Sequence, residues 1–150
     1  MKRPAPVVGL VIRFDYLWKD EYQRGRLEGQ KDRPCAIVVA VPPDEGGAWK
    51  VIVAPITHSP PRDGDSAVEI PANVKAHLGL DDARSWIITT EVNRVSWDDP
   101  GIVPARRESW VYGALPQALV IRVQDQIRNQ ARARKLRMLD RVAIERERGE

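Results

Sequence analysis

Arg33 and Thr57 are the residues of this chain whose types and placement best suit chemistry on a phosphate. They stand in the segments Asp32-Arg33-Pro34-Cys35 and Ala54-Pro55-Ile56-Thr57-His58. Each lies at the end of an apolar run, Cys35 to Val41 in one case and Trp49 to Ile56 in the other. The turn Asp44-Glu45-Gly46-Gly47 joins the two runs, so they read as a β-hairpin. In that hairpin Arg33 and Thr57 fall at the same end. A guanidinium beside a hydroxyl at the open end of a sheet is a phosphate grip, a fixed fork of N–H donors next to one neutral donor. The spacing also fits a plainer arrangement, in which Arg33 pairs on the surface with Asp32 or Glu28 and Thr57 closes a turn. Spacing alone leaves both open.

Other site chemistries are absent from the sequence. It has neither a G-x-x-x-x-G-K-[ST] nor a G-x-G-x-x-G phosphate loop, and no G-x-S-x-G hydrolase elbow. His58 and His77 are not spaced as a metal pair, and the single cysteine, Cys35, excludes an internal disulfide and a cysteine-built zinc site. Cys35 reads as a small buried hydrophobe. His58 directly follows Thr57, and a histidine there can act as acid or base in RNA cleavage. On an extended strand it would point to the face opposite Thr57, unless the loop has already begun. Trp49, Trp86, Trp97 and Trp110 read as core or dimer contacts; Trp18, at the start of a polar loop, is the one best placed to stack on a base.

The elements that must position these residues are short. Val7 to Trp18 reads as a first strand, and Lys19 to Asp32 as a charged loop of fourteen residues with room for one helical turn. A connector that long inside a small domain tends to be functional or mobile. The run from Cys35 is apolar on both faces, as a central strand should be, and Pro34 is tolerated at its start. Ala67 to Ile70 is a short strand, Pro71 to Leu78 a short helix ending at Gly79, and Ser85 to Val95 a fifth strand. Trp110 to Leu115 adds a brief strand. From Gln117 the spacing of Leu119, Val120, Val123 and Ile127 is helical. These elements predict a mainly β domain over residues 1–127, a small twisted sheet or an SH3-like small barrel with a long C-terminal helix, followed by a charged helical or disordered tail over 128–150.

Composition agrees with one soluble domain. The 150 residues are 43% hydrophobic and 30% charged, with 12 prolines and 10 glycines, which argues against a helical bundle. From Arg122 onward nine basic residues face five acidic ones, leaving a near-neutral body with the basic surplus in the tail. No signal-peptide h-region follows the N-terminus, no apolar stretch reaches the ~20 residues of a membrane helix, and one free thiol suits a reducing compartment. The expected location is cytoplasmic, away from membranes.

Several segments, in order, resemble the PemK/MazF toxins. They are Gly9-Leu10-Val11-Ile12-Arg13-Phe14-Asp15, Glu28-Gly29-Gln30-Lys31-Asp32-Arg33-Pro34-Cys35-Ala36-Ile37-Val38 and Val51-Ile52-Val53-Ala54-Pro55-Ile56-Thr57. Thr90-Glu91-Val92-Asn93-Arg94-Val95-Ser96-Trp97 resembles that family's D-Q-[IV]-[RK]-[TS]-[IV] strand, and Gly113-Ala114-Leu115-Pro116 its closing motif before the last helix. The resemblance covers roughly residues 7 to 127.

What this resemblance implies is an endoribonuclease toxin of a type II toxin–antitoxin pair, needing neither metal nor cofactor. Members of the family are SH3-like barrels, usually homodimers, and cut single-stranded RNA by attack of the 2′-hydroxyl, leaving a 2′,3′-cyclic phosphate. The family arginine falls on Arg33, the threonine on Thr57 and a less constant acidic residue on Glu28. The roles implied are stabilisation of the phosphorane and help to the leaving group for Arg33, donation for Thr57, and a subsidiary base or orienting role for Glu28. Trp18, Lys31, His58 and Asn93 are expected to contact RNA, and an antitoxin protein is an expected partner. The chain departs from the family pattern at Leu10, Glu91 and Asn93, where an acidic residue, a glutamine and a basic residue are usual. Glu91 in particular would weaken phosphate attraction near a groove. These departures support a second expectation, a PemK-like barrel that binds a protein partner or RNA without cutting it.

Overall fold

The hairpin at the centre of the sequence forms as expected. In the computed structural model, which describes residues 1–144, β1 (Leu10–Phe14), β2 (Arg33–Val41) and β3 (Lys50–Thr57) lie side by side and antiparallel. Phe14 is opposite Arg33, and Cys35 is opposite Pro55. Between Ile37 and Val39 the register shifts by one, a bulge at Val38.

The remaining strands are β4 (Ala67–Glu69), β5 (Trp86–Ile88), β6 (Glu91–Ser96), β7 (Ile102–Val103), β8 (Val111–Ala114) and β9 (Arg137–Asp140). Pairing is antiparallel throughout except between β6 and β9. The long strand β3 changes partner along one edge: Lys50–Val53 pairs with β6, and Ile56–Thr57 with β5. Pro55, with no N–H to donate, sits at that change. What reads in sequence as one strand over 85–95 is thus two, broken at Thr89-Thr90. The branch β5–β4 departs from the branch β6–β9, and no pairing among the described residues joins the ends of the sheet. The fold is mainly β, with an antiparallel sheet and helices, and among the described residues the sheet does not close into a barrel.

One helical turn, α1 (Lys19–Gln23), interrupts the loop after β1. Alternation along β1–β3 gives the sheet two apolar faces. Val11, Ala36, Ala54 and Ile56 face α2 (Ala72–Leu78) and α3 (Gln117–Arg132), whose Leu78, Leu119 and Val123 complete that core. The bulge leaves the Val38 carbonyl free to accept the Gln124 side-chain N–H, at 2.9 Å, tying α3 to the strand. Phe14, Cys35, Ile37, Val53 and Val95 face the other way, where Tyr16, Trp97 and Ile102 cover them. Each such fully buried side chain contributes about 1.5–3 kcal/mol of transfer free energy.

The basic C-terminal stretch departs from its expected character. The helix stops at Arg132, Arg134 takes a left-handed φ of 59°, and the Lys135 N–H closes the end on the Gln130 carbonyl at 2.8 Å. The chain then returns as β9, adding an edge strand to β6 and burying Leu139 against Leu17 and Ile144. Alternating arginines with Met138 and Leu139 resemble a solvated helix in sequence. The deciding factor is an unpaired edge on β6, which only the assembled sheet provides. Residues 145–150 of the expected tail lie outside the described residues. No helix among the described residues is long and apolar enough to cross a membrane.

Candidate functional site

Arg33 is the first residue of β2 and Thr57 the last of β3. They lie two positions beyond the Cys35–Pro55 pair, one on each strand, so the register sets them across from each other on the same face. Both line one open cleft of about 320 Å³ with Lys31, Pro34, His58, Asp81 and Ser85. The expected meeting of the two residues is therefore what the strand register produces.

Arg33 makes no ion pair among the described residues. Asp32, one of its possible surface partners, is taken by Arg13 at 3.4 Å. Instead, the Arg33 guanidinium lies over the ring of Trp18, 5.0 Å from its centre, and its buried Nε finds no hydrogen-bond acceptor. Trp18 in turn packs edge-on against Tyr16, with ring centres 5.0 Å apart. The indole thus supports the guanidinium from one side and leaves its donors free for a ligand. Trp18 was expected to stack on a base; in the structure its ring is the platform for Arg33.

Thr57 combines the two readings of its sequence context. Its Oγ1 accepts the Ser59 N–H at 3.1 Å, the expected turn contact. That bond fixes the hydroxyl oxygen, while its own proton has no acceptor among the described residues and can be donated into the cleft.

His58 lines the same cleft as Thr57 because β3 has ended and the strand alternation no longer applies. Its Nε2 lies 2.9 and 3.1 Å from the two carboxylate oxygens of Asp81. Asp81 also accepts from Lys75 Nζ at 2.8 Å, and Lys75 is itself 4% exposed, with its ammonium also bonded to the Ala83 carbonyl. The hydrogen bond from Lys75, helped by the one from His58, holds the Asp81 carboxyl below the ordinary aspartate range. Of the two carboxylates in the cleft, Asp32 and Asp81, each is matched by a cation from another element, whereas Lys31 and Arg33 form no ion pair among the described residues. The cleft is poised for an anion.

Glu28 is placed elsewhere. It lines a neighbouring cleft of about 520 Å³ with Asp15, Gly29, Asp99, Gly101 and Arg141, and the two clefts share only the Lys31-Asp32 wall. Gly29 is needed there: a Cβ would fall inside contact distance of the Asp15 and Tyr16 carbonyl oxygens, so only glycine lets the loop lie against the end of β1. In this second cleft Asp15 and Arg141 pair at 3.3 Å. Burial raises the Asp15 carboxyl above its usual range, and Arg141 opposes that shift. No group of three or more histidine, cysteine, aspartate or glutamate side chains among the described residues is arranged to hold a metal.

Two residues expected to affect RNA contact are withdrawn from the surface. Asn93 is fully buried; its side chain donates to the Leu17 carbonyl at 2.9 Å and accepts the Leu17 N–H at 3.0 Å. Glu91 accepts the Tyr16 hydroxyl at 3.0 Å and the Lys19 N–H at 3.2 Å. Both are drawn inward because the chain leaving β1 crosses that part of β6 and needs partners for its backbone groups. Glu91 therefore does not repel phosphate from a groove, and Asn93 does not touch RNA there.

Asp81 and Lys75 were missed by sequence reasoning. They belong to no motif, and Asp81 lies 23 residues beyond His58. The only signal is the break after Gly79, whose φ of 66° ends α2 and turns Asp81 back toward β3. No protein-family model matches the chain, and no curated protein matches it.

Proposed function

We propose that the Arg33–Thr57 cleft binds a phosphodiester of single-stranded RNA and cleaves it by attack of the adjacent 2′-hydroxyl. The products are a 2′,3′-cyclic phosphate and a 5′-hydroxyl. The observation that carries this reading is the pairing, across one open cleft, of an indole-backed guanidinium with no ion-pair partner among the described residues and a positioned hydroxyl. A phosphorane gains negative charge as it forms, and donors already aimed at the site stabilise it without reorganising. Arg33 cannot act as a base, since it stays protonated; it neutralises the phosphorane and assists the departing oxygen, while Thr57 donates to a non-bridging oxygen.

The ordered segments that resemble PemK/MazF toxins support the same reaction class, and with it an SH3-like ancestry of the open sheet, a homodimer and a protein antitoxin. Incubation of the pure protein in EDTA with single-stranded RNA of randomised sequence, followed by mapping of the ends, tests the reading. Fragments with cyclic phosphate and 5′-hydroxyl ends are the expected result. Intact RNA leaves the cleft as a binding site only, the second function considered for this chain.

A further inference from the structure

The cleft that holds Arg33 and Thr57 supplies a phosphate grip, but Glu28 lies in the neighbouring cleft and Asp32, the one carboxylate here from the resembling segments, is engaged by Arg13. We propose that His58 is the base of this cleft, held in its working tautomer by Asp81, which Lys75 anchors from beneath. The inference rests on the cleavage reading above and adds the group that moves the proton.

Asp81 brackets His58 Nε2 with both oxygens, at 2.9 and 3.1 Å. That contact assigns the proton to Nε2 and leaves the lone pair on Nδ1, in a ring that is exposed and lines the cleft. Asp81 cannot swing away freely, since the Lys75 ammonium, 5% exposed at the side chain, grips the same carboxylate at 2.8 Å. A buried lysine directed at an otherwise exposed aspartate fixes that carboxylate for the ring above it, the arrangement of a base and its orienting group. The other charged groups lining this cleft are Lys31, Arg33 and Asp32, and Asp32 is engaged by Arg13.

In the reaction, Nδ1 takes the 2′-hydroxyl proton as the bond from O2′ to phosphorus forms. The bond from phosphorus to O5′ breaks, and that oxygen takes a proton from solvent. The imidazolium then returns its proton to solvent, so charge and protons balance and no water is consumed. His58 touches the substrate and is catalytic; Asp81 and Lys75 are positioning residues.

The test combines kinetics on the randomised single-stranded RNA with NMR of the ring. H58Q keeps a donor toward Asp81 but has no base, and should lower kcat by about 10²- to 10⁴-fold with little change in KM. The acid limb of the pH–rate profile should disappear with it. D81N should lower kcat less, because the ring loses the carboxylate that holds it in one tautomer. In the parent, NMR should show the Nε2–H tautomer, and in D81N the Nδ1–H tautomer should gain population. Cleavage by the parent with unchanged kcat and acid limb in H58Q overturns the role of His58 alone. A tautomer population unchanged in D81N overturns the His58–Asp81 coupling whether or not RNA is cut. Absence of cleavage by the parent overturns the nuclease reading and the base with it.

Discussion

The Arg33 guanidinium rests over the Trp18 ring at 5.0 Å, at the point where the chain has just left β1 and is about to enter β2. Trp18 therefore decides how firmly Arg33 is held. A cation–π contact of this kind contributes about 0.5–2 kcal/mol. W18A should slow RNA cleavage by about two- to thirty-fold, with W18F in between, as measured on a labelled oligoribonucleotide. A W18A rate equal to that of the parent would show that the indole does not organise the site.

Removing the guanidinium itself is more severe. R33A should lower kcat by about 10²- to 10³-fold, the loss seen when one positioned donor of a charge-stabilising site is deleted. Its loss of stability in urea should stay within the roughly 0.5–2 kcal/mol of the Trp18 contact, since the Arg33 side chain makes no hydrogen bond or ion pair among the described residues. Equal cleavage rates in mutant and parent reject the site.

Asn93 has a structural role. N93A leaves both the Leu17 N–H and the Leu17 carbonyl without their partners, at a cost of roughly 1–3 kcal/mol for each orphaned group. Urea unfolding should show that loss, while RNA affinity of the folded protein stays unchanged. A selective fall in RNA affinity would return Asn93 to the surface role that its sequence position suggests.

The C-terminal strand is part of the folded sheet. Deletion of residues 137–150 removes β9 and with it Arg141, which is 1% exposed and donates to the Asp15 carbonyl, the Asp15 carboxylate and Asn93 Oδ1. Loss of a buried pair partner alone typically costs about 3–5 kcal/mol. The truncated chain should unfold at markedly lower urea, and D15A, which strands the buried guanidinium, should reproduce much of the effect. A truncation with parent stability would make the segment an appendage.

Burial raises the Glu91 carboxyl above its ordinary range, opposed by the Lys19 N–H and the Tyr16 hydroxyl. The unfolded chain then loses its Glu91 proton first as pH rises. The contribution of this group to stability is full below the unfolded value, about 4.3, and is lost as pH climbs through the higher folded value. E91Q lacks this dependence, so its stability relative to the parent should increase as pH rises through the acid range. Urea unfolding of both proteins across that range checks the sign; a relative stability of E91Q that falls with rising pH contradicts it.

Much of the core was legible because alternation is a local property. The apolar runs around Cys35 and Val51, the turn at Gly46-Gly47 and the helical spacing of Leu119 and Val123 each specify their element from neighbours along the chain. The meeting of Arg33 with Thr57 followed from the same hairpin, since register is a consequence of pairing. The break at Thr89-Thr90 was not legible, because it answers to a buried threonine bonded to Gln126 on α3, at 2.9 Å.

By itself, then, the amino-acid order determined the central hairpin and that a guanidinium and a hydroxyl share one sheet end, because hydrogen-bonded pairing follows local patterns. Only the tertiary structure decided which charges remain available there. Trp18 slides beneath Arg33, Asp32 turns to Arg13, Asp81 reaches His58 across 23 residues, and Glu28 is carried to the next cleft. Whether a charge is free depends on distances between segments remote in sequence, and those distances exist only once the chain has folded.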